Sequence, residues 1–221
     1  DKTTPFFAPL GTNDRSCASC HVAADGWSIT PAHLQQRFND TQGTDPVFRP
    51  SDGANCPSDD VSTLGAATSA YSQLLNHGLI RMTLPVPANA EFSIVAITDP
   101  YQCPETTATQ PALYRRPLPS TNLKFLNGIM WDGRESDLQT QALHATLVHA
   151  EPNAPPTDAQ LQQIVDFESS LFTAQSVDSL AGNIATQGAT GVPAFLSTQP
   201  FSTENTSGCG FDHNAFTHFT S

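Results

Sequence analysis

The sequence predicts a mostly α-helical protein with long loops rich in proline and glycine and at most a short β-hairpin. Three segments, 30–38, 62–77 and 157–175, combine apolar residues at helical spacing with end-capping residues. Between them, residues 41–60 are rich in Gly, Pro, Asp and Ser, and residues 79–120 are rich in Pro, which indicates loops. With 221 residues, of which 38% are hydrophobic, the chain is long enough to bury a core.

The first two helices have clear end signals. Thr30 and Pro31 suit the N-cap and the first position of a short helix that runs through Phe38. A second helix is predicted from about Ser62 to His77, because its leucines and tyrosine recur on one face. Gly78 follows it where a left-handed C-cap is expected.

One segment has the composition of a β-strand. The run from Phe92 to Ile97 is apolar and rich in β-branched residues. We expect it to form a hairpin with Arg81–Val86.

The later elements are again helical. A helix is predicted over Asp137–His149, and Thr157 and Gln160 form a capping box that opens a helix ending near Gln175. The remaining residues are rich in Gly, Ser and Thr, and only Pro193–Leu196 suits a further short helix.

The motif Cys17-Ala-Ser-Cys20-His21 is the attachment signature of c-type haem. Two thiols three residues apart add across the haem vinyl groups, and the next histidine is then held as the proximal iron ligand. The sequence contains one such motif, so we expect one covalently attached haem c. Together with the helices, it predicts a cytochrome c-like haem domain in which the cofactor supplies much of the core.

Two other kinds of site use a similar motif. A zinc knuckle needs two further Cys or His ligands at short spacing, whereas the next histidine, His33, has no paired partner in the sequence. A thioredoxin-like redox pair lies in a βαβ unit, and no such pattern surrounds Cys17. Haem is therefore the favoured interpretation.

The composition limits which binding partners and which cellular compartment we expect. A net charge of −12 and a pI near 4.7 exclude nucleic acid as an expected partner. That charge suits a small basic electron-carrier protein, although it can also serve solubility alone. No apolar run approaches the roughly 18 residues of a membrane span. Because haem c is attached outside the bacterial cytoplasm, we expect an exported protein that is periplasmic or extracellular.

The other three cysteines are expected to be in different states in that oxidising compartment. Cys56 and Cys103 each precede a proline in a turn-rich segment, and we expect them to pair in a disulfide. Cys209 is then a free thiol or bonds outside this sequence.

A second motif, Trp131-Asp-Gly-Arg134, is followed by Leu138 and then by Gln141-Ala142. Together with Cys17–His21, this block resembles the N-terminal, peroxidatic haem domain of the bacterial di-haem cytochrome c peroxidases and their MauG-like relatives. The resemblance covers most of residues 10–175 in order. It implies a haem domain over residues 1–175, with 176–221 as a loop-rich C-terminal extension or the start of a second domain.

The resemblance also implies three catalytic residues. Trp131 matches the tryptophan that lies between the two haems of the family, and its indole can pass electrons. Glu151 matches a glutamate that can move a proton between the oxygens of peroxide. Gln141 matches a glutamine whose amide can hold peroxide by a hydrogen bond. Judged by residue type alone, Trp131 also suits a core position and Gln141 a solvated helix position.

The distal side of the haem iron has several candidate ligands. Met82 follows a helix in a proline-rich loop, as cytochrome c methionine ligands often do, and His149 lies between Gln141 and Glu151. Arg134 is the main candidate to bind a haem propionate, or else to have a structural role. The wider sets are His33, His77, His144 and Met130 for iron, and Arg49, Arg115 and Arg116 for propionate.

Three functions remain open from the sequence. The first is a peroxidase that reduces hydrogen peroxide with electrons from a cytochrome or cupredoxin. The second is a single-haem electron-transfer subunit, and the third is a MauG-like oxidase of a partner protein. The family carries a second haem motif in its C-terminal half, and this sequence has none. We therefore expect a second haem-bearing domain on a separate chain or a missing piece, unless the protein is a single-haem derivative.

Overall fold

The computed structural model describes residues 2–186 and 188–196, together with 215 and 217. The chain divides into two units. The haem-motif unit spans Asn13–Pro119, and the Trp131 unit combines Asp1–Thr12 with Ser120–Ser221. Helices dominate, and each sheet has only two strands, which confirms the predicted fold class.

Helix α1 (Pro31–Thr41) begins at the predicted caps. The Thr30 hydroxyl accepts a hydrogen bond from a backbone N–H of the first turn at 3.4 Å, and Pro31 occupies the first helical position. The helix ends at Thr41 instead of Phe38, because Gln42 adopts the left-handed conformation that stops it (φ 53°).

The second predicted helix is in fact two helices, α2 (Leu64–Ala70) and α3 (Ser72–His77). They meet at Tyr71, whose backbone dihedrals (φ −92°, ψ 17°) leave the helical region. The Tyr71 ring is buried against two phenylalanine rings, so aromatic packing accompanies the break. Gly78 closes α3 in the left-handed conformation, as expected.

The predicted strand pairing is wrong. Strand β1 (Ile80–Thr83) pairs antiparallel with β2 (Ala112–Arg115), and the described segment Phe92–Ile97 contains no strand. The apolar run that suggested a strand lies within the long connection 84–111 and is exposed except for the partly buried Ile94. Its composition favours a strand, but β1 pairs with β2 instead.

The connection between β1 and β2 is held in place near the end that precedes β2. The expected disulfide between Cys56 and Cys103 is present, and both residues are buried. Beside it, the Asp99 carboxylate accepts hydrogen bonds from the hydroxyls of Thr106 (2.7 Å) and Tyr114 (3.0 Å). Desolvation alone would raise the pKa of Asp99, but hydrogen bonds outweigh it and the pKa falls below its usual value.

The expectation for Cys209 lies outside the described residues.

The core of the haem-motif unit is one cluster of buried apolar side chains from α1, α2, α3, β1 and the loop before α2. Phe38, Phe48 and Tyr71 form its aromatic centre, with ring centroids 5.0 to 6.5 Å apart. Four partly buried side chains pack against this cluster: Cys20, Val22, Val61 and Met82. One cysteine of the haem motif therefore adjoins the core.

The Trp131 unit contains two main helices that pack together, α4 (Leu138–Ala145) and α5 (Asp158–Ser169). Helix α4 is shorter than predicted because a π-helical turn, Thr146–Ala150, follows it. The capping box of Thr157 and Gln160 is confirmed, with Gln160 N donating to the Thr157 hydroxyl at 3.3 Å.

Short elements complete this unit. The predicted short helix is present as α6 (Pro193–Leu196). Strands β3 (Val177–Asp178) and β4 (Gly182–Asn183) form a two-residue ladder. No described helix in either unit is both long and apolar enough to cross a membrane.

Candidate haem site and peroxide site

The haem motif forms a compact turn. Cys17–Ser19 is a single turn of 3-10 helix, and the backbone N–H of His21 donates to the Cys17 carbonyl at 2.9 Å. The Ser19 hydroxyl accepts a hydrogen bond from the Ser16 N–H at 3.0 Å. Local hydrogen bonds therefore fix the spacing of the two thiols and the histidine.

The loop after the motif curls back to hold the His21 ring. Val22 and Ser28 form an antiparallel bridge, and Gly26 and Trp27 both adopt left-handed backbone conformations (φ 65° and 61°). This loop places the Trp27 carbonyl oxygen 3.0 Å from His21 Nδ1. A carbonyl can only accept, so Nδ1 carries the proton and the Nε2 lone pair is the one suited to bind iron.

The two motif cysteines carry thiols that are not joined to each other. Although Cys20 is partly exposed as a residue, burial of its thiol raises the pKa to about 11, against the opposing charge of Arg15. Burial therefore keeps the Cys20 thiol protonated at neutral pH.

Two arginines fasten the motif to the rest of its unit. Arg15 is only 3% exposed, and its guanidinium donates to the carbonyls of Pro46 (2.8 Å) and Val47 (2.7 Å) and to the Asp52 carboxylate (2.8 Å). These bonds tie the chain that enters the motif to the loop before α2.

Arg37 on α1 holds the motif itself. It donates to the Ser19 carbonyl at 2.7 Å and forms a two-pronged ion pair with Asp45. The residues present therefore fit a covalently attached haem c: thiols at fixed spacing, an oriented imidazole and an adjoining apolar cluster.

The Trp131 motif forms a closed loop. Ile129 and Glu135 form a backbone bridge at its base, while Met130 and Gly133 adopt left-handed conformations (φ 76° and 67°) that turn the chain. Trp131 is 56% exposed, so its indole is presented at the surface of its own unit. Trp131 is therefore not a core residue of its unit, contrary to the expectation from residue type alone.

Arg134 forms an ion pair within this loop. Its Nη1 lies 2.9 Å from both carboxylate oxygens of Asp132. Desolvation would raise the pKa of Asp132, but the bonds and charge of Arg134 outweigh it and lower the pKa.

A buried carboxylate connects the loop to α4. Glu135 is 7% exposed, and its Oε1 lies 2.8 Å from Nδ1 of His144. His144 is on the same helix as Gln141, which is partly buried. The Trp131 loop and the Gln141 helix are thereby held as one local structure.

Glu151 follows the π-helical turn. It is exposed and adopts a left-handed conformation (φ 52°, ψ 54°). The α-helix that carries Gln141 therefore ends before Glu151. Gln141 and Glu151 therefore lie on different elements: Gln141 is on α4, and Glu151 follows the π turn.

The candidate distal ligands lie in different units. Met82 is on β1 of the haem-motif unit and packs against the same core cluster as Cys20. His149 is in the π turn of the Trp131 unit, partly buried.

Several residues of these sites were missed by sequence reasoning. The Trp27 carbonyl, Arg15, Arg37 and Glu135 all act through partners distant in the sequence or through the backbone. No sequence pattern signals these contacts, although Arg15 and Glu135 lie next to the two motifs.

A c-type haem motif on a mostly helical chain defines a class, the haem c proteins. The sequence model of the di-haem cytochrome c peroxidase family matches residues 10–177 of the 221, and the chain belongs to that family. No curated protein and no solved structure matches the chain. The family consists of haem c-binding peroxidases and MauG-like proteins that are typically secreted or periplasmic.

Proposed function

We propose that this chain carries one haem c on Cys17, Cys20 and His21 and reduces hydrogen peroxide to water with electrons from a small redox protein. The observation that carries the proposal is that one family match spans the haem motif and the whole segment from Trp131 to Glu151. The orientation of His21 toward Trp27 supports the same proposal, because it presents Nε2 for iron.

The balanced reaction consumes one peroxide, two protons and two electrons and yields two water molecules. The haem, when bound, supplies the iron that accepts peroxide and electrons. Glu151 removes a proton from one peroxide oxygen and returns it to the other. The Gln141 amide donates a hydrogen bond that holds the peroxide in place.

Trp131 is proposed as the electron-passing residue. Its exposed indole and its position in a tightly closed loop support this role, because a fixed and accessible ring can meet a donor. We propose His149 as the displaceable distal ligand of the peroxidase and Met82 as the distal ligand of the electron-transfer alternative. Arg134 is the proposed propionate partner.

Two electrons are needed for each peroxide, so the chain must receive them from a partner. We propose a small cytochrome or cupredoxin as the donor, or a second haem-bearing domain or chain. We propose that residues 1–175 form the haem domain and that 176–221 is an extension or the start of the next domain. Export to the periplasm or cell exterior follows from haem c attachment.

Replacing the proton-transfer group is the direct test. In purified holoprotein supplied with a reduced cytochrome, Glu151→Gln should lower the rate of peroxide reduction by about 100-fold or more. Gln141→Ala should lower it by about 10-fold to 100-fold. The matched control is Glu91→Gln, which neutralises an exposed glutamate in the haem-motif unit. Unchanged turnover in Glu151→Gln would contradict the assignment.

A second function, a single-haem electron-transfer subunit, is favoured by one observation. Met82 packs against the same apolar cluster as Cys20, where a thioether sulfur could reach a haem attached at Cys20. A MauG-like oxidase would use the exposed Trp131 to reach a partner protein. Reaction of peroxide-treated holoprotein with a protein substrate, without turnover of a reduced cytochrome, would favour that third function.

A further inference from the structure

We propose that Gly11 and Thr12 form a backbone clamp that positions Glu151; this inference rests on the proposed role of Glu151 in proton transfer. Gly11, Thr12 and Glu151 all belong to the Trp131 unit. Thr12 is also the last residue before the haem-motif unit and lies five residues before Cys17 in the sequence.

The backbone at Glu151 needs outside support. The helix that begins with α4 widens into the π turn Thr146–Ala150, and Glu151 then adopts a left-handed conformation (φ 52°). That conformation is unfavourable for a residue with a side chain, because Cβ crowds the following carbonyl. Such a residue persists where surrounding contacts over-determine it. Single π turns of this kind are frequent at functional sites.

Thr12 provides those contacts. Its backbone N–H lies 3.1 Å from the Ala150 carbonyl oxygen and 3.4 Å from that of Glu151. Its hydroxyl donates to the Glu151 carbonyl at 2.8 Å. The two carbonyls at the end of the π turn, which the helix leaves without a partner, are thereby satisfied by one residue.

Gly11 makes the close approach possible. A Cβ atom at position 11 would lie 1.7 Å from the Ala150 oxygen and 2.4 Å from its carbonyl carbon. Both atoms belong to the backbone, so no side-chain movement can relieve the clash. Gly11 is therefore required for its lack of a side chain, which brings Thr12 within hydrogen-bond range of the turn.

The clamp determines where the Glu151 carboxylate points. If Glu151 relaxed to the right-handed conformation, its Cα–Cβ bond would turn and the carboxylate would leave its position. A displacement of about 1 Å in a catalytic group can cost up to roughly 100-fold in rate. Thr12 is on this argument a positioning residue, which acts through Glu151.

A pair of Thr12 variants tests the clamp. Thr12→Val keeps the side-chain shape but removes the hydroxyl donor, and we expect it to lower kcat for peroxide reduction by about 10-fold. KM for the reduced cytochrome should stay within about twofold. Thr12→Ser keeps the donor and should restore kcat to within about twofold of the parent.

The Glu151→Gln background separates this inference from the proposed function. If the parent holoprotein does not reduce peroxide, the proposed function fails. If Glu151→Gln retains full activity, the proton-transfer role of Glu151 fails and the clamp has no catalytic role. If Glu151→Gln is inactive but Thr12→Val is fully active, the clamp alone is overturned. In the double variant, Thr12→Val should add no further loss; an independent 10-fold loss would mean that Thr12 acts elsewhere.

A structural readout completes the test without peroxide chemistry. Crystal structures of the Thr12→Val and Gly11→Ala holoproteins should show that Glu151 has left the positive-φ region, while the optical spectrum of the haem is unchanged. Retention of φ near 52° in both variants would overturn the clamp. If Gly11→Ala does not fold, Thr12→Val alone decides the question.

Discussion

The imidazole of His21 donates from Nδ1 to the carbonyl oxygen of Trp27 over 3.0 Å. This bond selects the ring nitrogen that can bind iron, and a backbone carbonyl makes it. The carbonyl is in place because Gly26 and Trp27 both adopt left-handed conformations. The geometry of the proposed proximal ligand therefore depends on the backbone of a short loop and not on a side-chain partner.

Gly26→Ala should destabilise the protein although there is space for the new methyl group. A Cβ at Gly26 meets nothing within 4 Å, but its φ of +65° is unfavourable for alanine by about 1 kcal/mol. Gly65 in α2 is the matched control, because a Cβ there also meets nothing within 4 Å and its backbone is helical. Gly65→Ala should stabilise by roughly 0.4–1 kcal/mol. Urea unfolding of both holoproteins measures the difference, and equal effects would contradict the role of φ.

Removing the disulfide should lower the free energy of unfolding and leave the haem attached. Cys56 and Cys103 are 47 residues apart in sequence, and a loop of that length corresponds to about 4 kcal/mol of unfolded-state entropy. The double variant Cys56→Ala/Cys103→Ala should lose about 2–4 kcal/mol in the free energy of unfolding.

Intact mass provides the companion measurement. The Cys56→Ala/Cys103→Ala protein should keep the mass of one covalent haem. Cys17→Ala/Cys20→Ala should lose that mass under denaturing conditions. Haem retained in the second variant would contradict attachment at the motif.

Stability should fall with rising pH because of Glu168. This carboxyl on α5 is 5% exposed, and burial raises its pKa to about 7, against a hydrogen bond from Ser120. Its Oε2 has no hydrogen-bond partner within the described part of the chain. The folded protein holds this proton more tightly than the unfolded chain, whose pKa is near 4.5. The contribution of Glu168 to the free energy of unfolding is therefore complete below pH 4.5. It falls by roughly 3 kcal/mol as the pH rises to about 7.

Glu168→Gln tests this dependence. The variant should have a flatter profile of unfolding free energy between pH 5 and pH 7, and it should exceed the parent at pH 8. Glu91→Gln, at an exposed site, should follow the parent curve. A parent-like slope in Glu168→Gln would refute the assignment.

Local chemistry explains what could be predicted from the sequence. Thr30 with Pro31 and Thr157 with Gln160 act within one helical turn, so their caps are visible in the residue order. The haem motif is equally local, because its chemistry needs adjacent residues.

Long-range contacts explain what could not be predicted. The partner of β1 lies beyond the connection 84–111, whereas composition favours the nearer apolar run, which does not pair with it. The π turn before Glu151 is stabilised by Thr12, 139 residues away in sequence. Arg15 reaches carbonyls of Pro46 and Val47 that have no distinguishing side chains. No residue pattern near these positions records such contacts.

The distal ligand separates the enzyme from the electron carrier, and two variants resolve it. If Met82 binds iron permanently, ferric holoprotein has a low-spin spectrum with a methionine–iron band, and Met82→Ala abolishes that band. The peroxidase proposal instead expects a distal position that peroxide can reach, so Met82→Ala should leave the spectrum and the peroxide turnover unchanged. His149→Ala should then alter the spectrum if the imidazole is the displaceable ligand.

Met130→Ala tells the two methionines of the chain apart, because Met130 lies in the Trp131 loop. The methionine–iron band should persist in Met130→Ala if Met82 is the ligand. A methionine–iron band that persists in peroxide-treated parent protein and disappears in Met82→Ala would refute peroxide reduction and establish electron transfer. Because thioether ligation also raises the haem potential, a fall in potential in Met82→Ala would support the same conclusion.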